Sequence, residues 1–140
     1  EACIMEDLRM CSPATEHDRV CVQDSIVNGI KVKKGVRIQM PITAAHYDPE
    51  FFPEPEKFKP ERFLKENADN IIPYTWRPFG SGNRVCIGQR FAMMEMKIII
   101  AKLLSKFKLT LTEKSGLEEQ IGTFGLYSYN NSYAKLELRN

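Results

Sequence analysis

One cysteine of this chain stands in a setting suited to chemistry. The stretch Phe79-Gly80-Ser81-Gly82-Asn83-Arg84-Val85-Cys86-Ile87-Gly88 gathers three glycines, one arginine and one cysteine, and runs straight into a long apolar helical pattern. Glycine has no Cβ to block positive φ, so such a loop can turn sharply and bring its backbone close to a flat ligand. A thiol just ahead of a helix start lies beside unpaired N–H groups at the positive end of the helix dipole, a setting that favours the thiolate. A thiolate there is a soft, anionic metal ligand. The other cysteines, Cys3, Cys11 and Cys21, fall in patterned helix or strand, where a buried neutral thiol is expected. With only His17 and His46 beside them, they give no Cys-x-x-Cys pair and no zinc-finger spacing.

A second group of residues concerns charge. Glu6 and Arg9 sit at i and i+3 of an expected helix and so share one of its faces. Far along the chain, Pro60-Glu61-Arg62-Phe63 offers another guanidinium beside an aromatic ring. By themselves Glu6 and Arg9 read as a surface ion pair worth ~0.2–0.5 kcal/mol.

The elements that must position these groups are legible in the pattern. Residues 1–11 read as a helix on Ile4 and Leu8, stopped by Ser12-Pro13. A short β region spans 19–41. Within it Val27-Asn28-Gly29-Ile30 predicts a type I′ hairpin, Lys34-Gly35 a second turn, and residues 36–40 an alternating strand. From 41 to 78, six prolines beyond Pro41 make long regular elements unfavourable, and the aromatics Tyr47, Phe51, Phe52, Phe58, Phe63, Tyr74 and Trp76 are expected to pack down an irregular meander. Residues 89–107 predict the best helix, with Ala92, Met96, Ile99, Leu103 and Phe107 on one face and Lys97, Lys102 and Lys106 on the wet side. Alternation returns at 109–111 and 133–138, predicting two strands joined by a Gly- and Asn-rich loop.

The totals bound the possibilities. The chain has 140 residues, 43% hydrophobic, with a net charge of +2, and its charges of both signs are interleaved. Nothing here suits nucleic acid as a partner. No apolar run approaches the ~20 residues that span a bilayer. The length suits one domain with a core that does not need disulfides, which argues for a reducing, cytosol-facing environment. Glu1 leads without a cap into an already helical pattern, so the chain is expected to lack an N-terminal portion.

The cysteine loop matches, through Phe79, Gly82, Arg84, Cys86 and Gly88, the motif Phe-x-x-Gly-x-Arg-x-Cys-x-Gly of the cytochrome P450 family. The Glu-x-x-Arg helix and the Pro-Glu-Arg-Phe segment resemble that family's paired motifs, in the same order. Asn28-Gly29, Asp18-Arg19-Val20-Cys21 and Ile87-Gly88-Gln89-Arg90-Phe91-Ala92 look most like its microsomal family three branch. The resemblance covers the whole chain. It implies an α+β, mainly α fold: the C-terminal, haem-binding part of a single P450 domain over residues 1–140, running from helix through small β-sheet, meander, cysteine loop and long helix to a terminal β-hairpin.

The resemblance also implies roles. Cys86 would ligate the iron of haem b (iron protoporphyrin IX), with Pro78, Phe79, Gly80, Ile87, Gly88 and Ala92 around it. Arg84 and Arg19 would pair with the haem propionates. Glu6, Arg9 and Arg62 would form a structural charge cluster, and Ala14, Thr15 and Leu126, the last within a 124–127 turn, would line the substrate pocket. The implied activity inserts one oxygen atom of O2 into a lipophilic substrate, with electrons from NADPH through NADPH-cytochrome P450 reductase and with cytochrome b5 as a further partner. The implied location is the cytosolic face of the endoplasmic reticulum membrane, contacted through the missing N-terminal part. No catalytic group beyond the haem ligand is expected here, because the family's acid–alcohol helix has no counterpart in these residues. A haem-thiolate isomerase or dehydratase would share every motif, and a truncated, non-catalytic fragment is a further alternative.

Overall fold

The computed structural model describes residues 1–115, 118–121, 127–130 and 133–139. Helix α1 (Ala2–Met10) leads into two antiparallel pairs. Strand β1 (Glu16–Val20) pairs with β4 (Arg37–Pro41), and between them β2 (Ser25–Val27) pairs with β3 (Ile30–Val32). The β2–β3 turn is as expected: Asn28 and Gly29 take φ 49° and 82°, the two positive values a type I′ turn demands. The second expected turn holds Gly35, again at positive φ.

A helix that the sequence reading did not separate from the meander follows at once. Helix α2 (Ile42–His46) starts after Pro41 and is tied back by Ile42 N–H donating to the Thr15 carbonyl at 2.8 Å. It is short because Pro49 lies three residues beyond it, but it carries two fully buried side chains, Ile42 and His46. The meander then folds through 3-10 turns at Pro60–Phe63 and Lys65–Asn70. Its aromatics pack down only in part: Phe58 and Tyr74 stay exposed, while Phe52, Phe63 and Trp76 form a chain of contacts. Phe52 meets Phe63 at 6.5 Å between centroids, and Phe63 meets Trp76 at 5.5 Å. Trp76 Nε1 donates to the Met5 carbonyl at 3.1 Å, pinning the meander to α1.

Helix α3 (Gln89–Lys106) runs unbroken into β5 (Phe107–Leu111), which pairs with β8 (Ala134–Leu138). The segment between these strands holds more than a loop. Strand β6 (Glu118–Ile121) pairs with β7 (Tyr127–Asn130) as an inner hairpin, which corrects the expectation of a simple connection.

Two expectations about the core are also corrected. Buried apolar side chains among the described residues are few: Ile4, Leu8, Ile42 and Phe52, all between α1, α2 and the meander. Helix α3 fully buries none of its residues: on the expected face Ala92, Met96 and Leu103 are half-buried and Ile99 is exposed, and Phe91, Ile98 and Leu104 are exposed as well. An apolar groove of about 620 Å³ lies between α1 and α3, lined in part by Ile4, Met96, Ile100 and Leu104. The accessible surface of 10750 Å² compares with roughly 7,400 Å² for a compact monomer of this mass, so the excess is surface that a self-contained core would cover. Nor are the remaining thiols interior ones: Cys3 is exposed, and Cys11 and Cys21 are half-buried.

Candidate haem-thiolate site

The cysteine loop is shaped by its glycines. Gly80 and Gly82 adopt φ 78° and 68°, a region that side chains with a Cβ rarely enter. These turns let the chain double back so that Cys86 N–H donates to the Phe79 carbonyl at 2.8 Å. A 3-10 turn at Gly82–Arg84 fills the loop, closed by Val85 N–H on the Gly82 carbonyl at 3.1 Å. Cys86 is then two residues ahead of Gly88, the N-cap of α3, and its carbonyl accepts Gln89 N–H at 3.3 Å. The thiol therefore stands at the positive end of an 18-residue helix. A Cβ on Gly88 would lie 3.8 Å from Sγ, in ordinary contact.

The surroundings suit a flat apolar cofactor. Cys86 is exposed, and so are Val85, Ile87 and Phe91, with Ile87 at 104% of its reference area. A lone exposed thiol in an apolar surface lacks the partners of a multi-ligand metal centre, and among the described residues no group of three or more His, Cys, Asp or Glu could hold an ion. A porphyrin brings four nitrogens of its own and asks one axial ligand of the protein. The residues present fit that requirement. Of the other expected cofactor residues, Pro78 is buried, Phe79, Gly80 and Ala92 are half-buried, and Arg84 is exposed in the 3-10 turn. Arg19 is exposed on β1 opposite Ile38, with Nη1 donating to the Asp18 carbonyl at 2.6 Å. Asp18 itself pairs with Arg37.

The structure brings Glu6, Arg9 and Arg62 together. Glu6 and Arg9 are completely buried. Arg9 Nε and Nη2 grip the two Glu6 oxygens at 2.8 and 3.0 Å, a bidentate fork. Arg62 Nε reaches Glu6 Oε1 at 3.3 Å, and Lys59 N–H donates to the same oxygen at 2.9 Å. The other Arg9 donors serve the His46 and Pro55 carbonyls at 2.7 and 2.6 Å, while Arg62 Nη2 donates to the Glu54 carbonyl at 2.9 Å. Helix, α2 and meander thus meet on one satisfied cluster. The rings of Tyr47 and Phe52 flank the Arg9 guanidinium at 5.5 and 5.4 Å.

Sequence reasoning passed over His46, although it is fully buried in this cluster. Its Nδ1 lies 3.0 Å from the Arg9 carbonyl, and its Nε2 accepts Arg77 N–H at 3.0 Å. Burial, reinforced by the nearby positive charges of Arg9 and Arg77 and by His17, lowers its pKa from 6.5 to about 4. The one available hint was a histidine following Ile42-Thr43-Ala44-Ala45, a short apolar turn after a proline. Ala14 and Thr15 are half-buried beside the start of α2, and Leu126 lies outside the described residues.

A model of the cytochrome P450 family matches residues 1–134. The chain belongs to the cytochrome P450 family. It is 50% identical over 104 residues to cytochrome P450 3A31 of Mesocricetus auratus, covering 74% of this chain and 21% of that protein. Cytochrome P450 3A7 of Homo sapiens is 47% identical over the same length and the same two shares. Cytochrome P450 9e2 of Blattella germanica is 45% identical over 121 residues, 84% of this chain and 23% of that protein. The family three likeness is therefore shown, and the chain spans between a fifth and a quarter of the length of these relatives.

Proposed function

We propose that these residues form the proximal, haem-binding portion of a haem-thiolate monooxygenase acting on a lipophilic substrate. The observation that carries the reading is Cys86, exposed at the start of α3 and held by its own N–H to the Phe79 carbonyl. In this reading the Cys86 thiolate would hold haem b through its iron, and Phe79 would shield it on the loop side. Pro78, Gly80, Ile87, Gly88 and Ala92 complete the apolar bed, and Arg84 and Arg19 pair with the propionates. Haem, when bound, supplies the chemistry by which one oxygen atom of O2 enters the substrate and the other leaves as water, consuming two electrons and two protons.

The protein's own part is to fix the thiolate and keep water from it. The Glu6–Arg9–Arg62 cluster has a structural role, locking helix to meander behind the loop. Ala14, Thr15 and Leu126 belong to the substrate side. Electrons would come from NADPH through its reductase, with cytochrome b5 as a second donor, at the cytosolic face of the endoplasmic reticulum. The open face of α3 and the α1–α3 groove are what the remaining chain of a full P450 would cover. The ferrous carbon monoxide complex of the full-length protein tests the ligand. A strongly red-shifted Soret band is expected in wild type and should be lost in Cys86→Ser. Survival of that band in Cys86→Ser would remove Cys86 from the iron.

A further inference from the structure

Both histidines of the chain close on the main chain of one residue, Arg77, which leads into the cysteine loop. On one side His46 accepts Arg77 N–H at Nε2, so its proton resides on Nδ1 and is donated to the Arg9 carbonyl. The hold is reciprocal, because Arg9 Nη1 donates to the carbonyl of His46 at 2.7 Å. On the other side His17, on β1, places Nε2 3.3 Å from the Arg77 carbonyl. A carbonyl only accepts, so this nitrogen carries a proton.

The same carbonyl takes Gly80 N–H at 3.0 Å, and a Cβ on Gly80 would stand 3.4 Å from His17 Nε2. Two residues on from Arg77, the Phe79 carbonyl receives Cys86 N–H. A continuous hydrogen-bonded route thus joins the buried charge cluster to the cysteine. It runs from Arg9 through His46 to Arg77, and through the turn at Phe79 and Gly80 to Cys86.

We propose that His46 and His17 form a clamp on Arg77 that sets where the loop presents Sγ, making both of them positioning residues for the Cys86 thiolate. The inference rests on the haem-thiolate reading above. Partners that orient a metal ligand from behind typically change metal affinity 10–100-fold when lost. The test uses the haem-loaded full-length protein with His46→Phe, His46→Gln, His17→Leu and His17→Gln. Glutamine at 46 keeps an amide oxygen for Arg77 N–H, and glutamine at 17 keeps an N–H for the Arg77 carbonyl.

The readout is the ferrous carbon monoxide spectrum, followed as the thiolate band converts to the non-thiolate form on mild warming. Conversion about 10-fold faster is expected in the apolar variants, with the glutamine variants restored toward wild type. Far-UV circular dichroism melting accompanies each variant, since a merely structural loss would follow stability and not the hydrogen-bond pattern. Glutamine variants that convert as fast as the apolar ones overturn the clamp, as does a wild-type rate in His17→Leu. Should His46→Phe fail to accumulate, the His17 pair decides. A wild type without the red-shifted band overturns the haem-thiolate reading and the clamp with it, whereas a wild-type band with unmoved variants overturns the clamp alone.

Discussion

Replacing Arg9 by lysine keeps the charge and removes the geometry, so it separates the two contributions of the buried cluster. The guanidinium serves three partners at once: both Glu6 oxygens, the His46 carbonyl and the Pro55 carbonyl. Those groups lie in different directions around a planar fork. A lysine ammonium has three donors on one atom at the end of a narrower stem, and it can face Glu6 and at most one of the two carbonyls. Glu6 keeps Arg62 and Lys59 N–H, so it stays partly compensated.

The loss is therefore one buried carbonyl left without a donor, at about 1–3 kcal/mol, plus the bidentate half of the ion pair. Together these come to about 3–5 kcal/mol, a large share of the 5–15 kcal/mol that holds a typical domain. Arg9→Lys in the full-length protein should lower the urea midpoint accordingly and leave the purified protein poor in haem. Lys59→Ala is the matched control. It removes a partly exposed pair with Glu54 yet keeps the backbone N–H that Glu6 uses, so stability should hardly move. An Arg9→Lys protein with a wild-type midpoint and full haem would refute the reasoning.

Two further outcomes are expected. His46 has a folded pKa of about 4 against an ordinary 6.5, so the unfolded chain takes up the proton first as pH falls; stability is full above 6.5 and declines down to about 4. Between pH 7 and pH 5 wild type should therefore lose about 2 kcal/mol more than His46→Gln, measured as the difference of two urea-midpoint shifts, and equal losses would place the histidine in water. On the substrate side, Ala14→Phe should change the product distribution and leave the carbon monoxide spectrum intact, while an unchanged product ratio would take Ala14 out of the pocket.

What could be read from the sequence divides along a physical line. Local signals carried well. Asn28-Gly29 dictated its turn because few residues tolerate two successive positive φ values, and Ser12-Pro13 ended α1 because proline cannot continue a helix. The glycine–cysteine loop was legible because its residue types are set by backbone geometry more than by distant packing. Burial was not legible, because it depends on what covers a surface. The period of α3 is a true helical period, yet it says nothing about how fully that face is covered, and here Ile99 stays 56% exposed.

His46 escaped for a related reason. A single histidine after a proline-started turn gives no periodic signal, and its importance lies in two bonds that span long stretches of chain, to Arg9 and to Arg77. The cluster motifs announced themselves as charged residues at fixed spacing, whereas the connection from that cluster to the cysteine runs through backbone carbonyls and N–H groups. Such groups have no residue type of their own. A pattern of side chains can therefore name both ends of the Glu6-to-Cys86 route and remain silent about the histidines that join them.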